Sequence, residues 1–458
     1  MTYSIAARYS TSVEPECGSA RRSPAIRPAA RLAFAIAVCV LALPPTARWN
    51  EQAQLFAGDP SSGDGFGTAV AIYGNTLVTS SSGDDTPAGD LAGSAYVFAR
   101  SDGVWSQQAH LYASDAEASD QFGTAVAIFG GRIVVAARSD TTGAGSYAGS
   151  AYPFVRSGTT WIADGHLFAD DASAYDSFGR SVGISGDTIV VGASLDDIGA
   201  LNEAGSAYVF VRGSVSWSQQ DHLFASDAGA EDRFGNKVAI HGDTIVVGAQ
   251  YWDGPSANGT GCAYVFTRSA GNWSQQARLV ADDFEAGDEF GCAVAISGEL
   301  IVVGSCQDNT VAGSDPGSAY VFVRSGGAWT QQGHLFADDA RPNDHFGASV
   351  AISGKTVVVG AFADDTAAGD SAGSVYVFTR IAGVWIQQAH IFASHPAAGD
   401  EFGGAVAVYG DTAVMGVPED ATAAGNHAGS TYVYTKSFLD TFVGEPPAWL
   451  PARRRSSK

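Results

Sequence analysis

Methionine, cysteine and positive charge are all scarce in this chain, and each scarcity removes a class of protein. Two methionines and no run of charged heptads argue against a helical bundle or coiled coil. Five cysteines cannot all pair with one another, and none stands in the C-x-x-C spacing of a zinc site. Lysine and arginine number 25 against 48 acidic residues, a formal charge of −23 that repels nucleic acid and anionic membranes. What the chain does have is glycine, 56 of 458 residues, and 24 Phe, 16 Tyr and 9 Trp. Those rings can bury a core, which excludes disorder, and so much glycine suits many tight turns. The class left standing is an acidic all-β protein.

Near the N-terminus Arg21, Arg22, Arg27 and Arg31 precede Leu32–Leu43 (LAFAIAVCVLAL), an apolar run of twelve. A membrane helix takes roughly 20 residues, whereas twelve suit the core of an export signal. The small and turn residues that follow (PPTA) place cleavage near Ala47. The Arg21-Arg22 pair invites a twin-arginine reading, which the following SPAI fits poorly, and Cys39 sits inside the run, where a lipid-anchor cysteine does not belong. The alternative for the run is a buried strand or helix. Residues 1–47 are therefore read as signal peptide and leader, with no membrane span in the mature chain, which is secreted, periplasmic or at the cell surface.

One unit then recurs seven times. Phe-Gly begins at Phe66, Phe122, Phe178, Phe234, Phe290, Phe346 and Phe402, always 56 residues apart. Trp49, Trp105, Trp161, Trp217, Trp273, Trp329 and Trp385 keep the interval, as do Tyr96, Tyr152, Tyr208, Tyr264, Tyr320, Tyr376 and Tyr432. Repeats of this length make propeller blades or solenoid turns. In the third unit, Phe178–Ser185 ends at a Gly186-Asp187 hairpin signal, and Thr188–Ala193 (TIVVGA) is an unbroken run suited to burial on both faces. A longer loop leads to Ser206–Arg212, and a short turn to Trp217–Ala225, whose Gln and His suit a wetted edge. Four antiparallel strands with a polar outer member make a blade, and no atypical capping unit marks a solenoid. The seventh unit lacks its Trp strand, since position 441 is Thr441, and the missing strand stands at the other end as Trp49–Ala57. The expected fold is an all-β, seven-bladed propeller over 48–436, closed by the N-terminal strand completing the last blade, with 437–458 as a flexible basic tail.

Phe-Gly, an apolar strand ending in Val-Gly-Ala, and Gly-Ser-Ala-Tyr-Val-Phe together resemble the FG-GAP repeat of the integrin α-subunit propeller. The resemblance spans 49–436 and is closer to bacterial exported proteins of this type, whose units end in Trp-x-Gln-Gln. It implies extracellular adhesion or ligand binding. Two features depart from the integrin pattern. Gly-x-Pro survives only at Gly416-Val417-Pro418, and the Asp-x-Asp-x-Asp-Gly calcium loop is replaced by turns at Gly74, Gly130, Gly186, Gly242, Gly298, Gly354 and Gly410. The integrin calcium sites are not carried over, and no cofactor is expected.

In a meander the loops after the second and fourth strands emerge on one face, and here both are rich in aspartate. The opposite rim receives Arg100, Arg156, Arg212, Arg268, Arg324, Arg380 and Lys436. Residues 49–436 hold 44 acidic and 15 basic residues, net −29. The aspartate before each Phe-Gly reads as a turn cap. The pairs Asp84-Asp85, Asp196-Asp197 and Asp364-Asp365 read either as solvated turn residues or as ligands for a hard cation such as calcium. His110, His166, His222, His334 and His390 recur at one position and read as stacked edge residues. Cys292 and Cys306 flank one hairpin and are either a disulfide or two buried thiols. Asn258-Gly-Thr and Asn272-Trp-Ser are glycosylation sequons if the source is eukaryotic.

No Ser-His-Asp or Cys-His arrangement is visible. The function expected is a non-enzymatic, monomeric module that binds an extracellular protein or glycan through its acidic loop face. The alternatives are a propeller glycosidase or lyase, betrayed by one carboxyl of raised pKa in the central funnel, and a purely structural surface component. Seven identical loops offer no unique address, so specific recognition is assigned to departures from the repeat: Tyr251 and Trp252, and more mildly Arg138 and Tyr147. For Trp252 the competing reading is packing onto its own blade.

Overall fold

Short β-branched runs cut by glycine turns fold each unit into a four-stranded antiparallel meander. In the third unit the strands are Phe178–Ser185, Thr188–Ala193, Ser206–Arg212 and Trp217–Leu223, paired in that order. Every residue of Thr188–Ala193 is buried, as a strand covered on both faces requires. The first hairpin turns on a glycine at φ +57 to +61° in all seven units, a region that penalises any Cβ. The computed structural model describes residues 47–254 and 258–438, so the expected signal peptide and leader before 47 and the expected tail from 439 lie outside the described residues.

The described residues form seven such sheets. In the seventh, the N-terminal strand Ala47–Leu55 pairs with Ser430–Phe438, from Ala47 opposite Phe438 to Leu55 opposite Thr431. The expected closure is what the chain does, and the propeller runs one residue further at its start and two at its end than the sequence suggested. Blade two has the shortest outer strand, Thr160–Ala163, because Ala163-Asp164-Gly165 stands where other units carry Gln-Gln and a further strand residue.

Seven apolar cores lie between neighbouring blades. One joins Val78 and Val97 of blade one to Phe122, Val126 and Tyr152 of blade two, and the closing core joins Val414 and Val433 to Phe66, Leu77 and Phe98. Beside each core the backbones meet directly. The N–H of every Phe-Gly phenylalanine donates to a carbonyl of the preceding blade, from Phe122 to Ala92 at 2.9 Å through to Phe66 and Ala428 at 3.1 Å across the closure. The residue after each acceptor is glycine at φ +74 to +86°, and a Cβ there would stand 1.9–2.4 Å from the phenylalanine oxygen.

A second lock runs around the rim. A bulge in the outer strand leaves the second Gln of Trp-x-Gln-Gln out of register, as at Gln52 and Gln108. At four joints that side chain accepts the indole N–H of the next blade, as from Trp161 to Gln108 at 3.2 Å and from Trp105 to Gln52 at 3.1 Å across the closure. The rim arginines are structural too. Arg100 lies over Trp105 and donates to Thr412 of blade seven at 3.1 Å, and Arg156, Arg268 and Arg324 repeat the reach to the preceding blade.

The aspartate before each Phe-Gly accepts the backbone N–H three residues earlier, at 2.5–2.7 Å in all seven units. Burial outweighs that bond and, with neighbouring carboxylates, pushes Asp64, Asp120, Asp176, Asp288 and Asp344 up to about 6. Asp232 and Asp400 are raised by the same burial. A carboxyl raised in the fold binds a proton that the unfolded chain gives up nearer 3.8, so stability is gained as pH falls through about 6. The melting temperature is expected to rise from pH 8 to pH 5, and Asp120→Asn with Asp176→Asn to flatten the rise. A melting temperature that falls over that range contradicts this account.

Candidate functional site

Loops after the second and outer strands do emerge on one face, where they bond across blades: the Gly83 N–H donates to the Asp64 carbonyl at 3.1 Å and the Ser119 N–H to Asp90 at 2.9 Å. On that face one cluster recurs. In blade five the Tyr320 hydroxyl donates to Asp283 and to Asp308, both at 3.0 Å. The His334 ring stacks on Tyr320 at 4.3 Å, with one nitrogen 3.4 Å from Asp283 and the other 3.6 Å from Asp308. His110, His166, His222 and His390 repeat the bridge between two aspartates, each stacked on its tyrosine as the sequence suggested. In blade seven Gln54 of the N-terminal strand takes the histidine's place and donates to Asp420 at 3.3 Å.

This cluster decides what the paired aspartates do. Asp84, Asp196 and Asp364 are buried and turn toward Tyr96, Tyr208 and Tyr376. Burial alone would raise Asp196 and Asp364, but the adjacent imidazole of His222 or His390, joined at Asp196 by the Ser206 and Tyr208 hydroxyls and at Asp364 by the nearby Ser374, holds them below the ordinary carboxylate range. Their neighbours Asp85, Asp197 and Asp365 turn the other way and accept the backbone N–H of Leu91, Glu203 and Ser371 at 2.8–2.9 Å. The two carboxylates of a pair do not converge, and among the described residues no group of three or more His, Cys, Asp or Glu is arranged to hold a metal ion.

Over the clusters lie repeated cavities. One of about 550 Å³ is lined by Asp115, Asp140, His166, Phe168 and the loop at 141–144, and its counterpart of about 860 Å³ by Asp283, Asp308, His334, Phe336 and the loop at 309–312. A third, about 430 Å³, uses Gln54, Phe56, His395 and Asp420 across the closure. The aromatic of each belongs to a recurring series, Phe56, Tyr112, Phe168, Phe224, Phe336 and Phe392, all 40–55 % exposed. The sequence reading passed over them because they stand beside the apolar end of the outer strand and look like core.

Blade four breaks the cluster at several positions together. Trp252 occupies the aspartate position, Arg278 the histidine position and Cys262 the serine position. Trp252 is 8 % exposed within a blade core, with the Arg278 guanidinium 4.3 Å over its ring and Arg278 also paired to Asp227. A cation–π contact replaces the His–Asp bridge, so Trp252 packs onto its own blade and is not an exposed recognition residue.

The other departures separate. Tyr147 stacks on Tyr175 at 5.7 Å, both exposed, and does not line the cavity that holds Arg138. Arg138 and Tyr251 share a cavity of about 210 Å³ with Arg180, Arg233, Asn236 and Gln250. Arg233 lies 5.1 Å over the Tyr251 ring and pairs with Glu203 at 2.9 Å. Cys292 and Cys306 are free thiols, correcting the possible disulfide. The Phe-Gly bulge leaves Cys292 unpaired in the ladder and Cys306 falls past the end of its strand, so the Cys306 N–H meets the Cys292 sulfur at 3.2 Å instead.

A closed ring of seven four-stranded blades, each seamed through Phe-Gly, defines a repeat propeller. The chain belongs to the FG-GAP repeat family, whose model matches residues 49–98, 105–154, 161–210, 217–266, 273–322, 329–378 and 385–434. Each match starts at a Trp strand and ends in the following blade's third strand, the offset that the closure uses. No curated protein is significantly similar to the chain.

Truncating Trp252 to Ala should cost about 3–5 kcal/mol, the usual range for a buried Trp. Because the departures compensate one another, Trp252→Asp combined with Arg278→His and Cys262→Ser rebuilds the repeat's cluster and should recover most of that loss in urea unfolding. A triple variant as unstable as Trp252→Ala would show that the blade-four changes are not coupled.

Proposed function

We propose that this propeller is exported by its N-terminal segment and acts outside the cell as a non-enzymatic binding module, its loop face engaging basic groups of a protein or glycan partner. The carrying observation is the repeated cavity that sets a half-exposed aromatic ring beside two aspartates. A lysine, arginine or amino-sugar nitrogen seated there gains a ring face and a carboxylate at once. Repetition around the ring makes weak sites additive when one partner spans several of them, and the acidic field steers cations toward the face.

Two observations weigh against the glycosidase reading. The axial channel is lined by residues of all seven first strands with no carboxylate among them. The carboxyls pushed up to about 6 recur at one position from blade to blade as turn caps, so none is singled out for acid–base work. A purely structural component would have no saturable ligand.

Decalysine is the probe, with decaglutamate as its control, titrated calorimetrically at low and physiological salt. Phe168→Ser, Phe336→Ser and Phe392→Ser combined should weaken decalysine binding about tenfold or more with the melting temperature unchanged, since all three rings are exposed. Equal affinity in wild type and variant would reduce the interaction to diffuse charge and overturn the pocket reading.

A further inference from the structure

The acidic loop face holds one cationic spot. Seven of the 15 basic residues in 49–436 form the opposite rim, and half of the remaining eight, Arg138, Arg180, Arg233 and Lys237, gather at the mouth of the axial channel. Arg180 lines both the channel, about 250 Å³, and the 210 Å³ cavity beside it, while Lys237 lines the channel wall. Arg233 is paired with Glu203. Arg138 and Arg180 each spend only Nε on hydrogen bonds within the chain, to Gln121 at 3.4 Å and Asn236 at 2.9 Å. Among the described residues their terminal Nη groups have no acceptor, and Lys237 has no hydrogen bond or ion pair.

The fold does not need these charges. The position of Lys237 is Ala69, Ala125, Ser181, Ala293, Ser349 or Ala405 elsewhere, and that of Arg180 is Thr, Asn, Cys, Ala or Gly. Keeping them together is costly. Burial and then the neighbouring Arg138 and Arg233 hold Arg180 below its ordinary value, and Lys237, exposed at the start of its strand, adds a like charge beside Arg180 on the channel wall. Like charges held together with unused donors are stabilised by an anion that satisfies both deficits.

We propose that Arg138, Arg180 and Lys237, flanked by Asn236 and Tyr251, form a binding site for a small doubly charged oxyanion: free phosphate or sulfate, or the phosphate monoester of a small molecule. Several free donors over three cations suit a tetrahedral group with two charges better than one carboxylate. A cavity of about 210 Å³ lies below the range of drug-sized pockets, and the net charge of the propeller turns large polyanions away. The site is independent of the aromatic pockets, which take the opposite charge.

Calorimetric titration of the full chain with sodium sulfate and sodium phosphate, against sodium chloride at equal ionic strength, tests the site. O-phosphoserine and N-acetylglucosamine 6-phosphate serve as further arms, with the singly charged N-acetylglucosamine 6-sulfate as the control for charge. Saturable binding is expected, and the tighter class identifies whether the group is free or carried. Lys237→Gln and, separately, Arg138→Gln should each weaken binding about tenfold or more while the ligand-free melting temperature stays level or rises, because a repelling charge has gone. Absence of saturable heat in wild type up to roughly 10 mM, or variants that titrate like wild type, overturns the proposal.

Discussion

The contact on which the rest of this molecule depends is made between backbones, where a Phe-Gly amide meets the carbonyl of the preceding blade and a glycine beside it leaves no room for a Cβ. Because that distance is fixed by peptide groups, every seam has the same spacing whatever its side chains. Identical seams bend a row of blades into a ring, and the ring brings the second and third residues after each Phe-Gly to one axis. The apolar cores follow with the same 56-residue period, and the Trp–Gln rim lock and the arginine reach keep it in blades one, two, four and five. A substitution at the seam glycine acts on two blades at once, whereas a core truncation acts on one interface.

Such periodicity leaves two ways to make function, and both are visible. One is to repeat a weak site, as the aromatic and aspartate cavities do around the loop face. The other is to break the repeat where the cost is small. The blade-four exchange of His–Asp for Arg over Trp keeps burial and charge balance and remains structural. Arg138, Arg180 and Lys237 at the channel mouth are different, because among the described residues no carboxylate pairs with them. An uncompensated departure is the stronger sign of a ligand.

Much of the architecture was legible in the sequence because each level repeats seven times. Gly186 marked its hairpin, the aspartates before Phe-Gly marked their caps, and Trp49 without a partner at Thr441 marked the closure. What failed to show were relations between units. Trp252 read either as a recognition residue or as packing on its own blade, and the partner that holds it, Arg278 in a histidine's place 26 residues on, went unremarked. Arg138 and Tyr251 stood out individually, yet their companions Arg180 and Lys237 lie inside strands that otherwise read as regular. Aligning the units by their Phe-Gly would have exposed both, since the other residues at those positions are small or uncharged. The cysteine pair misled because counting back from a turn assumes a regular ladder, and the bulge after Phe290 removes that regularity.

The central claim is that one ring is closed by a strand from the far end of the chain. Equilibrium unfolding of a chain lacking Trp49–Ala57 tests it most directly. Without that strand the last blade presents an open edge, and Trp105 and Asp420 lose Gln52 and Gln54. The shortened chain is predicted to aggregate or to lose the single cooperative transition of the full protein. A truncated chain that stays monomeric and melts at the parent temperature would contradict the closure.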